Sequence, residues 1–160
     1  NTRNLGKAMS MDKGVSSTDA DIIFFCDADL PDFKSEYVKE IVSPVLNNNE
    51  DMFIGLRGNF MQKAVKRWAI NSGERALKRE VWEKLPIFYK HRYRIETGLN
   101  CFTRKFGKGF SYKQFDYSQT LKEEKWGFWK GFTIRWRMNW DVIFSYLRFN
   151  LYDRFKTLNY

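Results

Sequence analysis

Two rhythms of apolar residues alternate along the first third of the chain. Between Lys34 and Leu46, Tyr37, Val38, Ile41, Val42 and Val45 recur three and four positions apart, which predicts a helix with one apolar face. Leu5, Ala8, Met9 and Asp12 share helical spacing within residues 3–14, and Gly14 reads as the stop. Between these two helices, Asp21 to Cys26 holds an apolar run too short for a helix, which predicts a strand buried on both faces. Asp51 to Leu56 has the same character and is closed by Arg57-Gly58. Helix, strand, helix, strand in this order predicts a right-handed βαβ unit and a mostly parallel sheet flanked by helices, an α/β fold. Pro44 is expected to kink or shorten the second helix.

The pattern is less regular after Arg57. Residues 60–71 read as helical or irregular, and Ser72 to Leu77 as a loop at the sheet edge, before a helix from Lys78 to Lys84 that Pro86 ends. Ile95, Leu99, Phe102 and Phe106 predict a helix over 94–106, and Gly107 and Gly109 precede a strand at about 110–117. From Glu123 to Phe155 the chain reads as mostly helical. The division expected is a catalytic domain over 1–121 and an amphipathic helical extension over 122–160.

The first strand ends in Asp27-Ala28-Asp29-Leu30-Pro31-Asp32. A buried strand that stops at two carboxylates places hard oxygen ligands at the carboxyl edge of a sheet, where open α/β proteins bind their ligands. Such a pair can seat Mg²⁺ or Mn²⁺ shared with substrate phosphates, or it can be an ordinary Asp-rich surface turn. Pro31 stands where a haloacid-dehalogenase-type phosphatase normally has Thr or Val, which counts against that chemistry. Gly6-Lys7 near the start of the first helix would admit a phosphate and supply a positive charge, and Arg57 could reach the same edge. Gly73 allows close backbone approach, and Glu96 lies in the first turn of its helix, as a helix acid or a general base.

Composition narrows the partners. The chain has 160 residues, a formal net charge of +9 and only two cysteines, Cys26 and Cys101, which argues against a disulfide framework or zinc site and fits a reducing compartment. Charge is uneven: residues 1–50 carry five basic and nine acidic side chains, whereas 51–121 carry fifteen and six. The basic remainder would attract phosphates, nucleic acid or an anionic membrane, or would serve solubility alone.

The ordered set Asn4-x-Gly6-Lys7-Ala8, apolar strand, Asp27-Ala28-Asp29-Leu30, helix, Asp51-x-x-x-Gly55-x-Arg57, Ser72-Gly73-x-Arg75-Ala76-Leu77 and Tyr93-x-Ile95-Glu96-x-Gly98-Leu99-Asn100 resembles a GT-A-fold glycosyltransferase of the family-2 type. That group includes polyprenyl-phosphate sugar transferases, and the resemblance covers about residues 3–125. It implies a metal-dependent, inverting transfer from a nucleotide-sugar donor to a hydroxyl or a polyprenyl-phosphate or other membrane-linked acceptor. By resemblance, Asp27 and Asp29 form a DXD motif that holds Mg²⁺ or Mn²⁺ and the donor diphosphate. Lys7 and Arg57 lie near the donor, Gly73, Glu74 and Arg75 line the acceptor side, and Glu96 is the base. Relatives begin with a strand and helix that grip the nucleotide base, so the chain reads as lacking this portion. The other reading is therefore a non-catalytic remnant or interaction module. Relatives often carry a metal-binding His where this chain has Ser118-Gln119; its single histidine, His91, reads as a solvated loop residue.

Residues 122–160 hold four of the six tryptophans, interleaved with Lys and Arg. Trp136, Trp140, Ile143, Leu147, Leu151 and Phe155 recur at helical steps as one stripe. It would pack on the catalytic domain or on a second copy of the chain, or lie at a membrane interface, or form a single-stranded nucleic-acid platform. Nucleic acid is not expected as a partner. The expected location is cytoplasmic, peripheral at the inner face of the membrane.

Overall fold

The computed structural model describes residues 6–28, 30, 32–57, 71–117 and 128–156; of residues 128–132, 134 and 135 it describes the backbone only. The elements are α1 (Lys7–Ser16), β1 (Ile22–Phe25), α2 (Ser35–Leu46), β2 (Met52–Arg57), β3 (Arg75–Lys78), α3 (Arg79–Lys84), α4 (Ile95–Phe106), β4 (Phe110–Phe115) and α5 (Phe128–Leu151). Short 3-10 turns at Arg92–Arg94 and Asp153–Phe155 precede α4 and follow α5.

The sheet order is β1-β3-β2-β4. β3 pairs antiparallel with both β1 and β2, and β4 is parallel to β2. Three of the four strands, β1, β2 and β4, therefore point the same way in a mixed α/β sheet in which two of the three pairings are antiparallel. The simple βαβ pairing of β1 with β2 is corrected: β3 lies between them, formed from a segment read as an edge loop. Its four residues, Arg-Ala-Leu-Lys, show no strand alternation because Arg75 is buried rather than solvated. β1 has no described partner on its outer side, and of its four residues Ile23 alone is buried, so the strand is not covered on both faces.

Alternation in β2 builds the two sides of the core. Met52, Ile54 and Leu56 join Leu77, Trp82, Leu99, Phe102 and Phe149 in one apolar cluster. Phe53 joins Ile41, Val45, Ala76, Phe115 and Tyr117 in the other. Gly55 points to this second side, where a Cβ would meet Ile41 Cδ1 at 2.6 Å, so glycine lets α2 lie close on the sheet. α2 runs through Pro44 to Leu46, and α1 runs past Gly14 to Ser16, two residues beyond its expected stop.

α5 does not pack by the stripe that its spacing suggests. Among its described side chains Asp141, Val142, Ser145 and Phe149 are buried, with Phe149 against Phe102 at a ring separation of 5.3 Å. Trp136, Trp140, Leu147 and Leu151 are exposed. Both faces of the helix are apolar, so periodicity alone could not choose between them. Among the described residues no helix is long and apolar enough to cross a membrane.

The end of α5 is pinned by Asp153, which is wholly buried. It accepts hydrogen bonds from Tyr89 Oη at 2.7 Å and Arg148 Nε at 3.3 Å, and pairs with Lys156 Nζ at 3.1 Å. Burial alone would raise this carboxyl, but the bonds from Tyr89, Lys156 and Arg148 outweigh it and hold it below the usual carboxylate range. Its stabilising effect is therefore complete above the unfolded-state value of about 3.9 and is lost as pH falls through the lower folded-state value. Asp153→Asn is expected to lower unfolding free energy by about 2 kcal/mol at neutral pH. In urea titrations the difference from the parent chain should shrink below about pH 4.

Candidate functional site

The carboxyl ends of β1, β2 and β4 and the amino end of β3 meet at one edge of the sheet. Asp27 follows β1 by two residues, Arg57 is the last residue of β2, Glu74 immediately precedes β3, and Tyr117 follows β4 by two residues. The first residue of α1, Lys7, and the second of α4, Glu96, reach the same place. Six residues distant in sequence thus become one polar cluster, because three co-directional strands must end on the same side.

Lys7 Nζ stands between two carboxylates, 3.0 Å from Asp27 Oδ1 and 2.7 Å from Glu96 Oε1. Burial on its own would lower the Lys7 ammonium, but Glu96 and Asp27 outweigh it and raise it to about 12, so Lys7 stays charged throughout the physiological range. Arg57 Nη2 bonds Asp27 Oδ2 at 2.9 Å and Glu74 Oε1 at 3.0 Å, while its Nε reaches Glu74 Oε2 at 3.2 Å. Burial opposes the charge of Arg57, yet Glu74 and Asp27 raise its guanidinium above the ordinary value.

Beneath this layer Glu74 is fully buried. It accepts hydrogen bonds from Ser72 Oγ at 2.5 Å and Tyr117 Oη at 3.1 Å besides those of Arg57. Burial raises the Tyr117 phenol, and the Glu74 charge adds to the shift. Arg75 is also buried: its Nε donates to Ser72 O at 3.1 Å and its Nη1 to Asn100 Oδ1 at 3.2 Å. Burial pulls its guanidinium below the ordinary value, opposed by Glu96, Glu74 and Asp27.

Gly73 is buried directly against Asp27, where a Cβ would lie 2.6 Å from both carboxylate oxygens. A glycine there leaves the space that the Asp27 head occupies. The side chains of Lys7 and Asp27 keep 34% and 23% of their surface, against 12% for Arg57 and 9% for Glu96, so solvent enters on the Lys7–Asp27 side.

The structure thus brings together Lys7, Asp27, Arg57, Gly73, Glu74 and Glu96, with Arg75 underneath. Glu74 and Arg75, expected on the acceptor side, expose no more than 1% of their surface and lie beneath the layer of Lys7, Asp27 and Arg57. The reason is β3, which carries the segment into the sheet interior. Asp29, Ser118 and Gln119 lie outside the described residues, as do positions 58–70. His91 is exposed. Tyr117 was not distinguished by sequence; its only signal is an aromatic residue just past the end of a strand. Among the described residues, no group of three or more His, Cys, Asp or Glu side chains is arranged around a common metal position.

The sequence profile of glycosyl transferase family 2 matches residues 1–118. Compared with curated protein sequences, the chain matches none. Among solved structures it is similar to glucosyl-3-phosphoglycerate synthase from Mycobacterium tuberculosis. The structure of that synthase with Mn²⁺, UDP-glucose and phosphoglyceric acid matches with a TM-score of 0.70 and 19% identity, over 89% of this chain and 54% of that one. Its structure with Mg²⁺ and UDP gives a TM-score of 0.68 and 18% identity, over 89% and 53%. A further structure, described as a mycobacterial protein, gives 0.58 and 19%, over 74% and 45%. The chain spans about half the length of the synthase, and the likeness at this identity establishes a shared fold.

Proposed function

Because this chain belongs to glycosyl transferase family 2, we propose that it transfers a sugar from a nucleoside-diphosphate donor to an acceptor hydroxyl or lipid phosphate, with inversion at the anomeric carbon. The observation that carries this reading is the meeting of Lys7, Asp27, Arg57 and Glu96 at the carboxyl edge of a GT-A-type sheet. The complexes of the similar synthase with UDP-glucose support a nucleotide-sugar donor.

Asp27 and Asp29 are proposed to hold Mg²⁺ or Mn²⁺. The fit rests on Asp27, whose carboxylate is partly exposed in the space left by Gly73. A hard ion that uses one or two carboxylates and completes its shell with substrate phosphates suits a site with so few protein ligands. When bound, it would offset negative charge growing on the leaving diphosphate.

The chain's own residues do the rest. Lys7 and Arg57 bring fixed positive charge to the donor phosphates. Glu96, in the first turn of α4, accepts the proton of the acceptor hydroxyl as that oxygen attacks the anomeric carbon. The bond to the nucleoside diphosphate breaks on the opposite face, and the diphosphate leaves with the bonding electron pair. Glu74, Arg75, Ser72 and Tyr117 act as positioning residues that fix Arg57 and, through it, Asp27. A polyprenyl phosphate or other membrane-linked acceptor, met at the inner face of a membrane, is consistent with the exposed aromatic and basic surface of α5.

Calorimetric titration with UDP- and GDP-sugars tests the donor site. Binding is expected to require Mn²⁺ and to be lost in Asp27→Asn and Asp29→Ala. Binding that ignores both the metal and the substitutions would remove the assignment. Metal-dependent binding without any transfer to an acceptor would favour the non-catalytic reading.

A further inference from the structure

Among the described side chains of α5, one apolar face is buried and the other is exposed. Val142, Ser145 and Phe149 are buried, while Trp136, Trp140, Ile143, Leu147 and Leu151 follow one another along the opposite side with 39–75% of their surface exposed. Phe144 and Tyr152 widen this strip, and with Leu147, Arg148 and Leu151 they line a shallow apolar depression.

The exposed charges described on the same segment are of one sign. Both acids of the described stretch 133–156 turn inward. Asp141 is 7% exposed and accepts a bond from Arg94 Nε at 3.1 Å. Asp153 is fully buried among Tyr89, Arg148 and Lys156. Arg137, Arg154 and Lys156 are exposed. Every exposed charged side chain described in this stretch is therefore a cation.

We infer that this face of α5 is a docking surface for an anionic lipid bilayer, on which the helix lies flat in the headgroup region. An apolar strip with tryptophan and tyrosine, edged by cations and free of exposed acids, matches the requirements of an interfacial helix. From Trp136 to Leu151 the strip is about 22 Å long at the helical rise, one continuous contact along α5. A second copy of the chain is a poorer occupant, because an antiparallel pairing of identical strips would bring the exposed Arg137 of each copy toward the exposed Arg154 of the other. Arg94, two residues before Glu96, ties α5 to the start of α4 through Asp141. The inference stands on the helix alone and does not depend on the glycosyltransferase reading.

The test is flotation of the full chain with phosphatidylcholine vesicles containing roughly one third phosphatidylglycerol. The chain is expected to float with these vesicles at low salt, to be released by salt, and not to float with pure phosphatidylcholine. Leu147→Glu with Leu151→Glu changes only exposed positions and should abolish flotation while circular dichroism and the thermal midpoint stay at parent values. Arg137→Gln and Arg154→Gln should each weaken partition by roughly fivefold. Three results would overturn the proposal: no flotation of the folded chain at low salt, equal flotation on neutral vesicles, or a concentration-dependent dimer in sedimentation that the Leu147/Leu151 variant abolishes. Retained donor binding by that variant would leave the donor-site reading intact, so the two stand or fall separately.

Discussion

Glu96→Gln is expected to slow sugar transfer to a hydroxyl acceptor by about 10²–10⁴-fold, the usual contribution of a positioned general base. The substitution keeps the shape of the side chain and a hydrogen-bond acceptor for Lys7 Nζ, which stands 2.7 Å from the Glu96 carboxylate. Fold and donor affinity should therefore change little. The effect should fall on kcat, while the KM for the donor stays near the parent value. Glu96 and Asp27 both raise the Lys7 ammonium, so in the variant Asp27 is the charge left to hold it. Single-turnover transfer at saturating donor is the measurement. A loss below tenfold would take the base role away from Glu96. It would also point to an acceptor that is already ionised, as a lipid phosphate is, and needs no base.

Glu74→Ala should have the largest effect on stability. Glu74 has no exposed surface, yet it receives both the Nε and an Nη of Arg57, together with the hydroxyls of Ser72 and Tyr117. Removing it takes both Glu74 bonds from a mostly buried guanidinium, whose remaining described acidic partner is Asp27. Breaking a buried ion pair from one side costs about 3–5 kcal/mol. For a chain of this size that corresponds to a fall in thermal midpoint on the order of 10 °C. A double variant, Arg57→Met with Glu74→Leu, distinguishes support of the fold from support of the site. It replaces the pair with apolar groups of similar volume, so much of the stability should return. Metal-dependent donor binding should not return, because Asp27 would still lack the cation that fixes its Oδ2. Recovery of donor binding in the double variant would show that Arg57 and Glu74 serve only the fold.

The parts of this architecture that depend on local periodicity were legible. β1, β2, α2 and α4 fall within a residue or two of the expected positions, because a buried strand and a one-sided helix each write a short-range rhythm. The placement of Asp27, Arg57 and Glu96 at the ends of these elements follows directly. β3 was not legible. Its four residues carry a charge at each end, and its partners are Ile22 to Phe25 and Met52 to Ile54, tens of positions away. Pairing at that distance leaves no local pattern. With β3 missed, Glu74 and Arg75 read as exposed loop residues when they are the buried underside of the site.

The tail has the same lesson in helical form. Its stripe of Trp136, Trp140, Ile143, Leu147 and Leu151 was visible by spacing, but whether those residues pack or face outward depends on which side of α5 meets α4. The sequence by itself determined the α/β class, the family and the ends of the strands where acids and cations collect, since these depend on side-chain spacing along a few consecutive turns or residues. Only the tertiary structure decided that β3 enters between β1 and β2, that Glu74 and Tyr117 brace Arg57, and that α5 turns Trp136 and Trp140 away from the core. Each of these is a contact between segments far apart in the chain, chosen by the competition between burying a charge with partners and leaving it in water, and that competition is settled only when the whole surface has closed.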